Sequence, residues 1–196
     1  TAKQSATSPT PRPASVFACG VQCSLPPPYS PSHVAYKNAQ IMCPLHHPNL
    51  VRLHGGVWNE GADKLCIVLE FCANGSLDSF LKEGASKRLP WEDLRHGLAI
   101  GVAKALSYLH HDLSEPLIHR DIKPANVLVD ERGLVKLADF GASKQIALAP
   151  SGATIEMNNQ TLKGTPYFMA PEVMTQTGHG RKSDIWSIGA TVMQMR

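Results

Sequence analysis

Residues with chemical potential flank a short predicted hairpin in the second half of the chain. Asp121, Lys123 and Asn126 precede this hairpin, and Asp139 follows its second strand. A hairpin returns the chain to its starting point, so we expect Asn126 and Asp139 to face each other. Carboxylate and amide oxygens are ligands that Mg²⁺ accepts. The spacing therefore allows the two side chains to share one cation, with a further carboxylate and a lysine nearby.

The elements that must position these residues follow from the hydrophobic pattern. Strands are predicted over 126–129 and 134–137, on either side of the Asp- and Gly-containing turn 130–133. Apolar residues at helical spacing predict a long amphipathic helix over 91–111, and a terminal helix is predicted from about Arg181. The roughly 40 loop-like residues before the terminal helix are typical of a functional segment.

A small sheet and a short helix are predicted earlier in the chain. Two apolar runs, 50–53 and 64–71, are expected to form a hairpin joined by a polar loop. A helix is expected over 76–82, with Ser76 as its N-cap. From about residue 41 onward the pattern is that of a globular protein.

Composition divides the chain into two parts. No Asp or Glu precedes Glu60, and seven of the 15 prolines lie at or before Pro31. Such a segment has little apolar surface to bury. Residues 1–40 are therefore predicted to form a Pro/Ser-rich disordered segment, and 41–196 a globular domain.

Several classes of protein are disfavoured by composition. The net charge of +3 is too small to indicate nucleic-acid binding. No apolar run approaches the roughly 18 residues of a membrane span, and the N-terminus lacks a signal-peptide layout. The five cysteines are an odd number without metal-ligand spacing, which favours reduced thiols. We expect a cytoplasmic protein that binds neither nucleic acid nor membrane.

Three motifs in order carry a family resemblance. The strings His119–Asn126, Asp139–Gly141 and Ala170–Glu172 match the catalytic loop, the metal-binding triplet and the end of the activation segment of eukaryotic serine/threonine protein kinases. The resemblance implies a partial α+β protein-kinase-like fold over 41–196. It would comprise a remnant of the N-lobe sheet and the first half of the helical C-lobe.

The resemblance also implies roles for the residues of the catalytic loop. Asp121 would accept the hydrogen bond of the substrate hydroxyl, and Lys123 would lie beside the γ-phosphate of ATP. Asn126 and Asp139 would hold Mg²⁺. Thr165 would bridge the catalytic Asp and Lys, as in the serine/threonine branch.

The resemblance places the adenine-binding segment at 69–72. The carbonyl of Glu70 and the amide of Cys72 would bind adenine, with Leu69 guarding the pocket and Leu128 forming its floor. The resemblance further suggests a hydrophobic column that is anchored on Asp184 and formed by four residues: Met42, Leu53, His119 and Phe140.

The motifs leave the kinase subfamily open. The strings 164–173 and 182–189 look most like mitogen-activated protein kinase kinase kinases, whereas 69–77 and 117–119 resemble tyrosine-kinase-like serine/threonine kinases. Thr161 lies at a position where many related kinases accept an activating phosphate. Arg120 and Lys144 are expected to bind a phosphate on this residue.

The chain departs from the family in its first part. The only glycine before Gly55 is Gly20, so no Gly-rich phosphate loop is present there, and Asn38 occupies the place of the helix glutamate. Lys37 is adjacent but is predicted to lie on the helix. Glu172 is expected to lack the arginine that usually pairs with it. We expect a truncated domain with impaired activity.

A second class of function remains open for this sequence. The chain is either a kinase that acts on Ser/Thr hydroxyls of protein substrates or a catalytically inactive kinase-like binding or scaffold module. Pro26–Tyr29 fits the P-P-x-Y ligand of WW domains, which dock a preformed polyproline II helix. The same segment also fits a plain Pro/Ser-rich linker.

Overall fold

The computed structural model describes residues 15–18, 33–59, 64–82, 91–146 and 165–195. The chain divides into two compact units. The first comprises Thr1–Pro44 and Leu53–Leu69, and the second comprises Leu45–Arg52 and Glu70–Arg196. Among the described residues, no helix has both the length and the apolar character needed to cross a membrane.

The first unit contains a three-stranded antiparallel sheet and one helix. Strands β1 (Ser15–Ala18), β2 (Leu53–Asn59) and β3 (Lys64–Leu69) are ordered β1-β2-β3. Helix α1 (His33–Met42) contacts β2 and β3. Its buried residues Ala39 and Met42 are three positions apart, so they share one helical face.

The sequence predicted this region incompletely. The strand predicted over 50–53 is wrong, because β2 begins at Leu53 and runs through residues that were expected to form a loop. Leu50 instead forms a parallel bridge with Leu137 of the second unit's hairpin. The glycines and polar residues of β2 are weak strand formers, which explains why propensity missed it. The disorder predicted for 1–40 does not hold at β1 or over most of α1.

The second unit contains helices and two small antiparallel pairs of strands. Its helices are α2 (Leu77–Lys82), α3 (Trp91–Ser107), α4 (Pro171–Met174) and α5 (Arg181–Gln194). Its strands are β4 (Leu117–Ile118), β5 (Val127–Val129), β6 (Val135–Leu137) and β7 (Lys144–Gln145), paired β4-β7 and β5-β6. Together with the sheet of the first unit, these elements give the α+β class that the resemblance implies.

The predicted hairpin is confirmed as β5 and β6. Asp130 Oδ1 accepts the backbone N–H groups of Arg132 at 2.9 Å and Leu134 at 2.8 Å. Gly133 has a φ of 80°, a left-handed conformation that glycine adopts without a steric penalty. The turn thus fixes the register of the two strands.

Helix α3 packs on this hairpin at close range. Its buried residues Leu98, Val102 and Ala105 form the apolar face that the sequence predicted. A Cβ at Gly101 would lie 3.0 Å from Asn49 Nδ2, which itself donates a hydrogen bond to the Val135 carbonyl at 2.9 Å. The absence of a side chain at this glycine therefore permits the close approach of helix and sheet.

The predicted start of α2, the predicted end of α3 and the predicted start of α5 agree approximately with the structure. The Ser79 N–H donates to Ser76 Oγ at 3.2 Å, which confirms Ser76 as the cap of α2. After Ser107, α3 continues as a π-helical turn over Tyr108–Asp112. Helix α5 begins at Arg181 as predicted.

Candidate active site

Four predicted catalytic residues form one hydrogen-bonded network. Lys123 Nζ lies 2.8 Å from Asp121 Oδ2 and donates to Thr165 Oγ1 at 2.8 Å. Thr165 Oγ1 donates to the other carboxylate oxygen of Asp121 at 3.1 Å. Asn126 Nδ2 donates to Asp121 Oδ2 at 2.9 Å. Asp121 is thus held by three partners at once, and two of them lie within five residues of it.

Local chain geometry brings this network together. A 3₁₀ turn over Pro124–Asn126 starts with a proline, whose fixed φ suits the first position of a helical turn. The Asn126 N–H donates to the Lys123 carbonyl at 2.9 Å, and the Asn126 side chain also donates to the Asp121 carbonyl at 2.8 Å. Thr165 lies much later in the chain, directly before the 3₁₀ turn Pro166–Phe168.

The network keeps Asp121 ionised. Burial disfavours the charged carboxylate, but the hydrogen bond and the positive charge of Lys123 act in the opposite direction. Further hydrogen bonds from Thr165 and Asn126 add to this effect, so the pKa of Asp121 is lowered. An ionised carboxylate can accept a hydrogen bond from a hydroxyl group.

The backbone of the catalytic loop is held by a buried carboxylate on α5. Asp184 Oδ2 accepts the His119 N–H at 2.9 Å, and Asp184 Oδ1 accepts the Arg120 N–H at 2.9 Å. Arg120 has a φ of 70°, which is unusual for a residue with a side chain. The two hydrogen bonds stabilise this conformation immediately before Asp121.

His110 and His119 complete the surroundings of Asp184. His110 Nε2 lies 2.8 Å from Asp184 Oδ2, and both side chains are buried. His119 Nε2 lies 3.0 Å from the Ala138 carbonyl, and its ring packs edge-on against Phe140 with centroids 5.2 Å apart. Burial lowers the pKa of His119, against the opposing charge of Asp184, so this ring is neutral near pH 7.

The two predicted metal ligands lie at the open end of the hairpin. The Ala138 N–H donates to the Asn126 carbonyl at 2.8 Å, which places Asp139 directly after a residue bonded to Asn126. Asp139 is exposed, has a φ of 63° and accepts the Gly141 N–H at 3.1 Å. Within the described ranges, no group of three or more His, Cys, Asp or Glu residues could hold a metal ion.

The chain directly after the segment predicted to bind adenine runs beside β5 within the second unit. The Val129 N–H donates to the Gly75 carbonyl at 2.9 Å, and Ser76 forms an antiparallel bridge with Leu128, the predicted floor residue. Glu70 and the buried Cys72 precede this stretch in the same unit. Leu69 belongs to the first unit.

The structure describes Arg120 and Lys144, which are predicted to bind an activating phosphate, but it does not describe the predicted phosphate acceptor. Arg120 Nε donates to the Ala142 carbonyl at 2.6 Å, and Lys144 lies on β7. Thr161 lies outside the described residues, as does the predicted WW-domain ligand Pro26–Tyr29.

Helix α1 carries the departures from the family pattern. Lys37 is exposed and Asn38 is half-buried, and both lie on this helix as predicted. Met42 and Leu53, the two members of the predicted column in the first unit, are buried.

The end of the activation segment is bonded to α5. Glu172, which was expected to lack its usual arginine partner, accepts a hydrogen bond from Ser183 Oγ at its Oε1, at 2.9 Å. Ser187 Oγ donates to the Phe168 carbonyl at 2.7 Å, close to Thr165. The sequence signalled neither contact, nor that of His110 with Asp184, because the partners are far apart in the chain.

Comparisons with known proteins agree with these motifs. The model of the protein kinase domain family matches residues 30–196. The chain is 47% identical over 152 residues to mitogen-activated protein kinase kinase kinase 2 of Arabidopsis thaliana, covering 77% of the chain and 21% of that relative. It is 41% identical over 160 residues to mitogen-activated protein kinase kinase kinase A of Dictyostelium discoideum, covering 81% of the chain and 15% of that relative.

A third relative is also a mitogen-activated protein kinase kinase kinase and matches over a similar part of the chain. The Arabidopsis kinase kinase kinase ANP1 is 46% identical over 154 residues, again with 77% of the chain and 21% of the relative covered. The chain thus spans about a fifth of the length of the Arabidopsis relatives. These names support the mitogen-activated protein kinase kinase kinase branch, which the motifs left open. Because the family model covers most of its length, the chain belongs to the protein kinase domain family.

Proposed function

We propose that this chain carries the catalytic centre of a serine/threonine protein kinase, which transfers the γ-phosphoryl group of ATP to Ser or Thr hydroxyls of protein substrates. The observation that carries the proposal is the network of Asp121, Lys123, Asn126 and Thr165. Phosphoryl transfer depends on positioning and charge neutralisation rather than on covalent chemistry by the protein. A carboxylate can position the substrate hydroxyl, and a lysine held beside it can neutralise phosphate charge.

Each residue of the network has one task in this proposal. Asp121 accepts the hydrogen bond of the substrate hydroxyl, which its lowered pKa allows at neutral pH. Lys123 lies 2.8 Å from that carboxylate and supplies positive charge where the γ-phosphate would lie. Thr165 fixes both side chains, because it accepts from Lys123 and donates to Asp121.

The residues present fit magnesium and ATP. Asn126 uses its Nδ2 to bind Asp121, which leaves Oδ1 as the metal ligand, and Asp139 offers a carboxylate that is exposed. Mg²⁺ in such sites is held by one or two protein side chains, phosphate oxygens and water. When bound, it neutralises phosphate charge. The Glu70 carbonyl and the Cys72 N–H are the proposed partners of adenine, with Leu69 and Leu128 as apolar walls.

We further propose that the activity of this chain is weak. Asn38 cannot form the ion pair that a helix glutamate makes with a strand lysine to position the phosphates. Loss of positioning alone can remove several kcal/mol of transition-state stabilisation. Asn38 also supports the competing proposal, which is that the chain is a kinase-like binding module without activity.

An assay of the purified 196-residue chain separates the two proposals. The chain is incubated with ATP, Mg²⁺ and a generic protein substrate, and phosphoserine and phosphothreonine are quantified by mass spectrometry. We expect slow transfer that requires Mg²⁺ and disappears in Asp121→Asn. No transfer above the Asp121→Asn background would favour the binding module. Rapid transfer that disappears in the variant would contradict the proposed impairment.

Regulation of the complete kinase is proposed to involve Thr161. A phosphate there would carry about −1.5 to −2 charges and bind Arg120 and Lys144, ordering the activation segment. The test uses a restored domain, in which 45–195 of this chain replace the equivalent residues of the Arabidopsis kinase kinase kinase 2 domain. We expect Thr161→Ala and Arg120→Ala to lower its activity. An unphosphorylated but fully active restored domain would contradict this regulation.

Localisation and partners extend the same proposal. Within the described parts of the chain, Cys66 and Cys72 form no disulfide, which supports a reducing compartment such as the cytoplasm. Protein substrates follow from the proposed activity.

A further inference from the structure

A cavity of about 460 Å³ lies in the second unit, apart from the network of Asp121. Its volume falls within the range of roughly 300–1,000 Å³ that is usual for small-molecule sites. Of the residues proposed to bind ATP, only Glu70 lines this cavity, and Cys72 and Leu128 do not. The cavity is therefore not accounted for by the proposed nucleotide site.

Lys136 and Glu70, which both line the cavity, form an ion pair. Lys136 Nζ lies 2.8 Å from Glu70 Oε1 and donates to the Pro48 carbonyl at 3.0 Å. The Lys136 side chain is only 9% exposed. Glu70 Oε2 accepts the Arg52 N–H at 3.2 Å. The charges of Lys136 and Glu70 thus compensate each other, and both side chains are held in place before any ligand arrives.

The lining also includes two histidines, and both contact Tyr108. The His46 N–H donates to Tyr108 Oη at 3.1 Å, and the His47 ring stacks on the Tyr108 ring with centroids 5.2 Å apart. His47 Nδ1 accepts the Asn49 N–H at 3.1 Å, so the proton of the neutral ring lies on Nε2, which is then a donor. Burial lowers the pKa of His47, opposed by Asp112, which favours this neutral form near pH 7.

Arg52 is the cation of the cavity without a compensating charge. Within the described residues, its guanidinium has no acidic partner, since Glu70 is paired with Lys136 and contacts Arg52 only through the backbone N–H. The described lining therefore carries a net charge of about +1, from Arg52 together with the compensated pair Lys136 and Glu70. Leu45 and Leu50 add apolar surface beside it.

We propose that this cavity is a second small-molecule site, separate from the nucleotide site, that binds small aromatic carboxylates. Arg52 binds the carboxylate as a bidentate partner, and His47 Nε2 provides a further donor. The leucines and the imidazole rings contact the aromatic body. One negative charge matches the net charge of the described lining, whereas a second negative charge would have no further unpaired cation there. The inference does not depend on the proposed catalytic activity.

The test measures binding of sodium benzoate to the 196-residue chain by isothermal titration calorimetry. Benzamide serves as the uncharged analogue, phenyl phosphate as the dianion and a non-hydrolysable ATP analogue as the competitor. Arg52→Gln removes the charge, Arg52→Lys retains it, and Arg132→Gln is the matched control on an exposed turn. Circular dichroism of each variant establishes that it is folded.

The expected result is saturable benzoate binding that Arg52→Gln weakens about tenfold or more and Arg132→Gln leaves unchanged. Arg52→Lys retains part of the affinity, phenyl phosphate binds more weakly than benzoate, and the ATP analogue does not displace the probe. Absence of saturable binding, equal affinity in folded Arg52→Gln, or displacement by the ATP analogue would overturn the proposal. Tighter binding of phenyl phosphate would overturn its charge argument and hence the carboxylate assignment.

Discussion

The loop around Asp121 and helix α1 agree with the kinase family pattern to different extents. In the loop, Asp121 has three side-chain partners, and its backbone neighbours are fixed by Asp184. In α1, Lys37 is exposed and Asn38 stands where the family carries a glutamate. The network around Asp121 is thus formed in the structure, whereas the proposal of weak activity rests on the asparagine of α1.

Breaking the anchor of the loop should have the largest effect. Asp184→Asn replaces an acceptor oxygen by an N–H₂ donor that faces other donors, since both carboxylate oxygens accept hydrogen bonds. Buried unsatisfied groups cost about 1–3 kcal/mol each, so we expect the free energy of unfolding to fall by about 3 kcal/mol. Urea denaturation measures this change, and hydrogen exchange at the Arg120 amide should rise in parallel.

The matched control for this substitution is Asp112→Asn, which changes an exposed aspartate. We expect its unfolding free energy to stay within about 0.5 kcal/mol of the unsubstituted chain. Equal destabilisation by the two substitutions would show that Asp184 does not hold the loop.

Removing one member of the network should have an intermediate effect. Thr165→Ala deletes the hydroxyl that accepts from Lys123 and donates to Asp121, whereas Thr165→Ser keeps it. Hydrogen bonds to charged groups contribute about 1.5–3 kcal/mol, so the alanine variant of the restored domain should phosphorylate substrate at least about tenfold more slowly. Serine should retain most of the rate. Equal loss in both variants would assign the effect to the methyl group instead.

The packing of α3 behind the hairpin should respond more modestly. Gly101→Ala brings a Cβ within 3.0 Å of Asn49 Nδ2, whereas the same change at Gly97 meets no atom within 4 Å. Alanine favours a helix by about 1 kcal/mol over glycine. We therefore expect Gly97→Ala to stabilise the chain by up to that amount and Gly101→Ala to destabilise it by about 1 kcal/mol. Thermal unfolding compares them, and stabilisation by both would contradict the close packing.

The smallest effect is expected in α1. Asn38→Glu introduces the family's carboxylate, but the only lysines before it in the sequence are Lys3 and Lys37, and Lys37 lies on the same helix. We expect the phosphorylation rate of the 196-residue chain to change less than about twofold. A tenfold increase would show that the glutamate alone was limiting and would break the contrast between the two regions.

The sequence predicted the local parts of this molecule well. The β5-β6 hairpin follows from its turn residues, α2 follows from its cap Ser76, and α3 follows from its apolar spacing. The contact of Asn126 with Asp121 joins residues of one contiguous motif that are five positions apart. Such features depend on neighbours in the chain, which a single sequence displays.

Features that depend on distant partners were missed or misplaced. Strand β2 is stabilised by pairing with β1 and β3 rather than by its own composition, so its glycines concealed it. The contact of Lys136 with Glu70 joins residues 66 positions apart, and that of Ser187 with Phe168 joins residues 19 apart. Nothing in the local pattern distinguishes such residues from solvated side chains.

The central claim is that the catalytic loop is complete and that only phosphate positioning is lacking. The most direct test compares single-turnover phosphorylation by the 196-residue chain and by the restored domain, each with Asp121 and with Asp121→Asn. We expect the restored domain to be at least about 10²-fold faster than the chain, and Asp121→Asn to slow it by about 10²–10⁴-fold. An inactive restored domain, or one indifferent to Asp121→Asn, would contradict the account.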